Sequence, residues 1–243
     1  MIRRVLACWL LLAAALHAAD RQENVRTLIR WLLQDDQSFQ SIPFSEVIAA
    51  TSGKKVIAFD AKNADDQRIL KGIATALDAA LLKLNAPESA AQKVKRINEA
   101  SHFFEDEIRA QLNRQPGFSC DFPRTADGRV LRSGYPDLRL VDKAGGRVVY
   151  LDPKLYAKGS EASTFRTFYF EPRGATNKVN DDAIHFIVGI QHERVAGGGW
   201  KFERWRLVDL AHFRVHLKAE FEGSNEDMYQ PAATVLDGPQ PQR

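Results

Sequence analysis

The sequence predicts an α/β fold, a mixed central sheet flanked by helices and preceded by a helical N-terminal part, and three observations carry that prediction. Apolar residues recur at three- and four-residue spacing before Pro116-Gly117. Three short strand candidates then follow one another closely, and a strongly apolar strand candidate at 183–190 comes after them. A chain of 243 residues with 44% hydrophobic and 27% charged composition is long enough to bury a core, as one globular domain with an attached subdomain. Repeat architecture and wholesale disorder are excluded.

The chain begins like a targeting segment. Arg3 and Arg4 precede an apolar run over 5–16 that ends in the small residues Ala18 and Ala19. Residues 1–19 are therefore expected to act as a signal peptide, giving a periplasmic or secreted protein. No later run approaches the roughly 20 apolar residues that spanning a bilayer requires, so no membrane association is expected after cleavage. Removing Arg3 and Arg4 with no acidic residue lowers the formal charge by two, from +3 to +1. The basic balance is thus weak evidence for a nucleic-acid partner. Cys120 would be the last cysteine left, which excludes an internal disulfide and makes the thiol dispensable.

Val25, Leu28, Ile29, Leu32 and Leu33 mark an amphipathic helix over 22–33, and a shorter segment over 42–60 is broken by Pro43 and Ser52-Gly53. Ile69, Leu70, Ile73, Leu77, Leu81 and Leu82 share one side of a helix over 65–84. Residues 20–90 thus read as the helical N-terminal part. The core, 91–222, opens with a helix over about 90–112 and continues with strands at 130–133, 137–142 and 147–152, the last two joined by the turn signal Lys143-Ala144-Gly145-Gly146. A helix after Ser160, the apolar strand at 183–190, and strands at 201–208 and 213–221 complete it. Residues 223–243, with Pro231, Pro239 and Pro241, are expected to be disordered.

Chemistry concentrates between Tyr135 and Lys154. Asp137 opens one strand, and Asp152-Pro153-Lys154 closes the next. Side chains two apart in a strand share a face, so Asp152 and Lys154 point the same way, and the antiparallel neighbour can bring Asp137 alongside them. Two carboxylates suit a hard cation such as Mg²⁺, which phosphodiester hydrolysis uses to neutralise developing charge and activate water. An adjacent lysine can orient or deprotonate that water. On the dipeptides alone, a turn with a surface Asp-Lys pair stays open, since Asp-Pro and Pro-Asp are ordinary turn sequences. Pro153 removes a ladder donor, so the strand must end, bulge or lie at an edge there.

Pro136-Asp137 and Asp152-Pro153-Lys154 resemble the signature of the PD-(D/E)XK, or restriction-endonuclease-like, nuclease superfamily. Glu105, Ile108, Leu112 and Gly117-Phe118 resemble its upstream helix pattern, and the resemblance covers roughly residues 95–221. It implies a Mg²⁺-dependent endonuclease, with Mn²⁺ as a substitute, acting on DNA rather than RNA. Asp137, Asp152 and Glu105 would hold metal, with Lys154 beside them. The helical wheel itself does not choose between Glu105 and Glu107; the resemblance selects Glu105. A non-catalytic nucleic-acid-binding or interaction module on the same fold is the alternative.

Phe165, Phe168, Tyr169 and Phe170 interleave with Arg166 and precede Arg173 and Lys178. Such a mixture can stack on bases and clamp phosphates, or supply core; Arg166, Arg173 and Lys178 are the candidate substrate contacts. The histidines show no metal-binding spacing, and His185 in the apolar strand reads as core. Ser52-Gly53-Lys54-Lys55 lacks the first glycine and the final hydroxyl of a phosphate-binding loop.

Overall fold

The computed structural model describes residues 21–33, 41–164, 168–171, 174–218 and 220–236. The expected signal segment, Arg166 and Arg173 lie outside them. The chain divides into two units, Ile42–Val215 on one hand and Met1–Ser41 with His216–Arg243 on the other. In the second unit, residues 21–33 form a helix, α1, as the periodicity predicts. A single helical turn, α5 (Asn225–Met228), stands in the tail where the sequence predicts disorder. A reciprocal cap between Ser224 and Asp227 satisfies its first N–H groups.

The larger unit is a mixed sheet between helices. Its elements in order are β1 (Ile42–Pro43), α2 (Phe44–Ser52), β2 (Val56–Ile57), α3 (Ala64–Leu84), α4 (Ser101–Asn113), β3 (Phe118–Asp121), β4 (Leu138–Asp142), β5 (Val148–Ala157), β6 (Ala183–Arg194), β7 (Trp200–Asp209) and β8 (Arg214–Val215). The six-stranded sheet runs β2-β6-β5-β4-β3, with β7 also pairing β6. β3, β4 and β5 form an antiparallel meander, β5 and β6 run parallel, and β7 returns antiparallel to β6.

The two-residue period of each strand assigns its side chains to opposite faces. Leu138, Leu140, Val149, Leu151, Ile184, Phe186, Val188 and Ile190 face α3 and α4 and join Ile69, Ile73, Leu77, Phe104, Ile108 and Leu112 in the main core. At the other face, Phe44 and Ile48 of α2 build a smaller core with Tyr135, Tyr150, Val179, Ala183 and Leu210. α3 follows its predicted stripe and starts where Asn63 accepts from the N–H groups of Asp65 and Asp66.

Four expectations need correction. The helix predicted over 90–112 is two 3₁₀ turns, Ala90–Gln92 and Ile97–Ala100, followed by α4. Here tertiary bonds override local periodicity: Gln92 donates to Leu84 O and accepts from Trp200 N. The first strand of the meander is Phe118–Asp121 rather than 130–133, where Val130 makes only an isolated bridge to Arg124 and stays 50% exposed. The strand predicted over 213–221 is reduced to Arg214–Val215, paired with β1, and Leu217 and Phe221 are exposed because alternation buries nothing without a neighbouring strand. Between Ser160 and β6 the described residues hold the 3₁₀ turn Gly174–Thr176 and no α-helix, while Phe168 and Phe170 dock edge-on against Phe44.

Candidate active site

Pro153 falls at a place where its missing N–H is tolerated. The β4–β5 pairing ends at Leu138↔Leu151, so on that side β5 is an edge from Asp152 onward, while pairing to β6 continues through Pro153↔Val188. The strand therefore carries Asp152 and Lys154 on one face without a break. Asp137 immediately precedes β4 and continues its register toward Asp152.

The three side chains converge. Lys154 Nζ lies 2.5 Å from Asp152 Oδ2 and donates to Asp137 Oδ2 at 3.4 Å. Asp152 is 1% exposed and Asp137 9%. Lys154 is the close cationic partner of Asp152 Oδ2, while Oδ1 has no hydrogen-bond partner among the described residues. A buried carboxylate is costly unless charges or hydrogen bonds satisfy it, and the ammonium reaches one oxygen. Burial, then the charge of Asp152, pushes Asp137 up to about 7, and burial also raises Asp152. Burial opposes the charge on Lys154, but Asp152 and Asp137 outweigh it and hold the ammonium above its ordinary value.

These donors fit a hard divalent cation. Asp152 supplies an Oδ1 without a partner among the described residues beside the Lys154-paired Oδ2, and Asp137 supplies a second carboxylate of the oxygen type that Mg²⁺ prefers. Among the described residues no set of three or more His, Cys, Asp or Glu side chains is gathered as a metal site. Glu105 on α4 lies within electrostatic reach of Asp137 and accepts from Arg132 Nη2 at 2.9 Å through its Oε2. Burial raises its pKa, partly offset by that bond.

Lys178 requires a correction. Expected as a substrate contact, it is 1% exposed, and its Nζ donates to Leu131 O at 3.1 Å and Gly134 O at 2.6 Å. It ties down the loop that leads into Tyr135-Pro136-Asp137, where its charge faces Asp137, Asp152 and Glu105. Burial lowers its pKa against the pull of those acids. The described part of the aromatic segment also resolves toward core: Phe168 and Phe170 pack on Tyr135, and Tyr169 is exposed.

Sequence reasoning missed the residues that hold the loop and the sheet in place. Tyr135 OH and His185 Nδ1 share a 2.5 Å hydrogen bond, and burial lowers His185 to about 3, so the ring is neutral. Arg139 makes two bonds to Asp181, which also accepts from Tyr150 OH at 2.7 Å. Arg132 bridges Glu105 and Asp106 and lies 4.2 Å from the centre of the Phe122 ring. Partners so far apart in sequence leave no local pattern to read.

Comparison with known proteins agrees with this geometry. The profile of the Type II restriction enzyme MjaV family matches residues 37–232. The type II restriction enzyme MjaV of Methanocaldococcus jannaschii is 27% identical over 225 residues, covering 88% of this chain and 95% of that protein. A match over most of the chain, on a restriction-endonuclease-like sheet, means that this chain belongs to the Type II restriction enzyme MjaV family and is an endonuclease.

Proposed function

We propose that this endonuclease hydrolyses DNA phosphodiester bonds with Mg²⁺, through Asp137, Asp152 and Lys154. The observation that carries the reading is the convergence of the buried Asp152 carboxylate, whose Oδ1 has no partner among the described residues, with Asp137 and Lys154. Kinship with a restriction enzyme supports DNA as the substrate. When bound, the cation would polarise the scissile phosphate and lower the pKa of a water ligand. Asp137 and Asp152 would hold the positive charge at the phosphate, the Lys154 ammonium orients the attacking water, and Lys178 fixes the loop bearing Asp137. Glu105 shares a field with Asp137 and would complete a metal or water ligand set.

The roles separate experimentally. Asp152→Asn keeps the shape but loses charge, so divalent-metal affinity by calorimetry and cleavage of duplex DNA fall together. Lys154→Ala keeps both carboxylates, so metal still binds while cleavage falls roughly 10²- to 10⁴-fold. Parental cleavage by Lys154→Ala rejects its role in handling water, and normal cleavage by both variants rejects the site. We also propose export through the Arg3-Arg4 leader; a mature protein whose N-terminal sequence starts at Met1 rules that out.

A further inference from the structure

We infer that Arg204 and Arg206 of β7, reached across Gly189 of β6, form a track that grips the DNA backbone beside the cleavage centre. This deepens the DNA-nuclease reading and rests on it. Sheet register places the groups. Lys154 pairs with Gly189, and Gly189 pairs with Arg206; Tyr156 pairs with Gln191, and Gln191 with Arg204. Paired residues share a face, so both arginines stand on the face that carries Asp152 and Lys154. Two strand spacings, about 10 Å, separate the Lys154 and Arg206 backbones, a gap that their long side chains shorten.

The opposite face of β7 is already used. Trp205 donates to Asp78 of α3 at 2.7 Å, and Trp205 and Leu207 pack on the main core. Arg204 and Arg206 are exposed, and neither makes a hydrogen bond or ion pair among the described residues. Their neighbours Lys158, Glu193, Lys201 and Glu203 neutralise one another in a closed network of ion pairs. The two guanidinium groups are therefore without an ion-pair partner among the described residues. Planar guanidinium groups match phosphate oxygens in pairs, and neutralised phosphates supply most non-specific DNA affinity.

The Tyr156 ring packs over Gly189, its Cε1 3.4 Å from where a Cβ would stand, and floors the space between Lys154 and Arg206.

The test is binding of a fluorescent DNA duplex by anisotropy across a salt series, in EDTA so that nothing is cut. Three proteins are compared: the parent, the double variant Arg204→Met with Arg206→Met, and Lys71→Met on α3 as an exposed control from the opposite side of the sheet. The double variant is expected to bind roughly 10- to 100-fold more weakly at low salt, with a log-log salt slope smaller by about 2, near 0.9 for each lost contact. Lys71→Met should match the parent. An unchanged slope in the double variant, with a parent that binds and cuts DNA, overturns the track and leaves the nuclease reading standing. A parent that neither binds nor cuts duplex DNA overturns both.

Discussion

Asp137 and Asp152 are two acids buried at one spot, and their mutual repulsion makes the site sensitive to pH. Burial and then Asp152 lift Asp137 to about 7, against about 3.9 for a free aspartate. The folded protein thus holds a proton that the unfolded chain has lost. The stability this confers is complete below about pH 4 and disappears as pH rises toward 7. Metal-free Asp137→Asn should therefore resist urea better than the parent at pH 8, by up to a few kcal/mol, with the gap closing toward pH 4. Equal urea midpoints at pH 8 would show that the pair is relaxed without a cation. Cys120 poses a different problem at the same scale. It is fully buried in β3, and burial pushes its thiol up to about 12, so it is inert near neutrality. Cys120→Ser should retain cleavage but lose about 1–3 kcal/mol of stability, since a serine hydroxyl there has no evident partner. Loss of cleavage from a fully folded variant would give this cysteine a function that its burial does not suggest.

At the scale of elements, α3 crosses β3 at Gly72, where a Cβ would meet Phe118 Cε2 at 2.2 Å. Alanine normally stabilises a helix interior by about 1 kcal/mol relative to glycine, but here the clash reverses the sign. Gly72→Ala should cost about 1–3 kcal/mol, checked by urea unfolding, and a gain would mean that Phe118 moves aside freely. The sequence reveals α3 as a helix but not why glycine sits in it, because its neighbour Phe118 is distant along the chain. The same contrast runs through the fold. The stripe of α3, the buried stripe of α4, the apolar run of β6 and the turn joining β4 to β5 were legible because packing against the core and local turn chemistry impose them. Val56–Ile57 was not, since a two-residue strand gains its identity only from parallel pairing with Ala183 and Ile184. Asp137, Asp152 and Lys154 were legible from strand parity and turn chemistry. Lys178 looked like a surface cation, because nothing nearby reveals that Leu131 and Gly134 turn their carbonyls inward to receive it.

For the whole molecule, the candidate cation site couples folding to ligand. A ligand that binds only the folded state stabilises it by RT ln(1 + [L]/Kd), about 2.7 kcal/mol at one hundred times Kd. Mg²⁺ has an additional reason to do so here, because it would satisfy the Asp152 Oδ1 that has no partner among the described residues and relieve the repulsion from Asp137. The midpoint of thermal unfolding should rise by several degrees when millimolar Mg²⁺ is added to the parent and return on adding EDTA. Asp152→Asn should remove most of this rise. Lys154→Ala should retain it, or bind metal more tightly, since the ammonium that competes for the Asp152 carboxylate is gone. The rise should also be larger at pH 8 than at pH 5. Asp137, pushed up to about 7, carries a proton at the lower pH that the cation must displace. Scanning calorimetry of the three proteins at both pH values separates the possibilities: a Mg²⁺ effect of equal size in the parent and in Asp152→Asn would place the cation elsewhere.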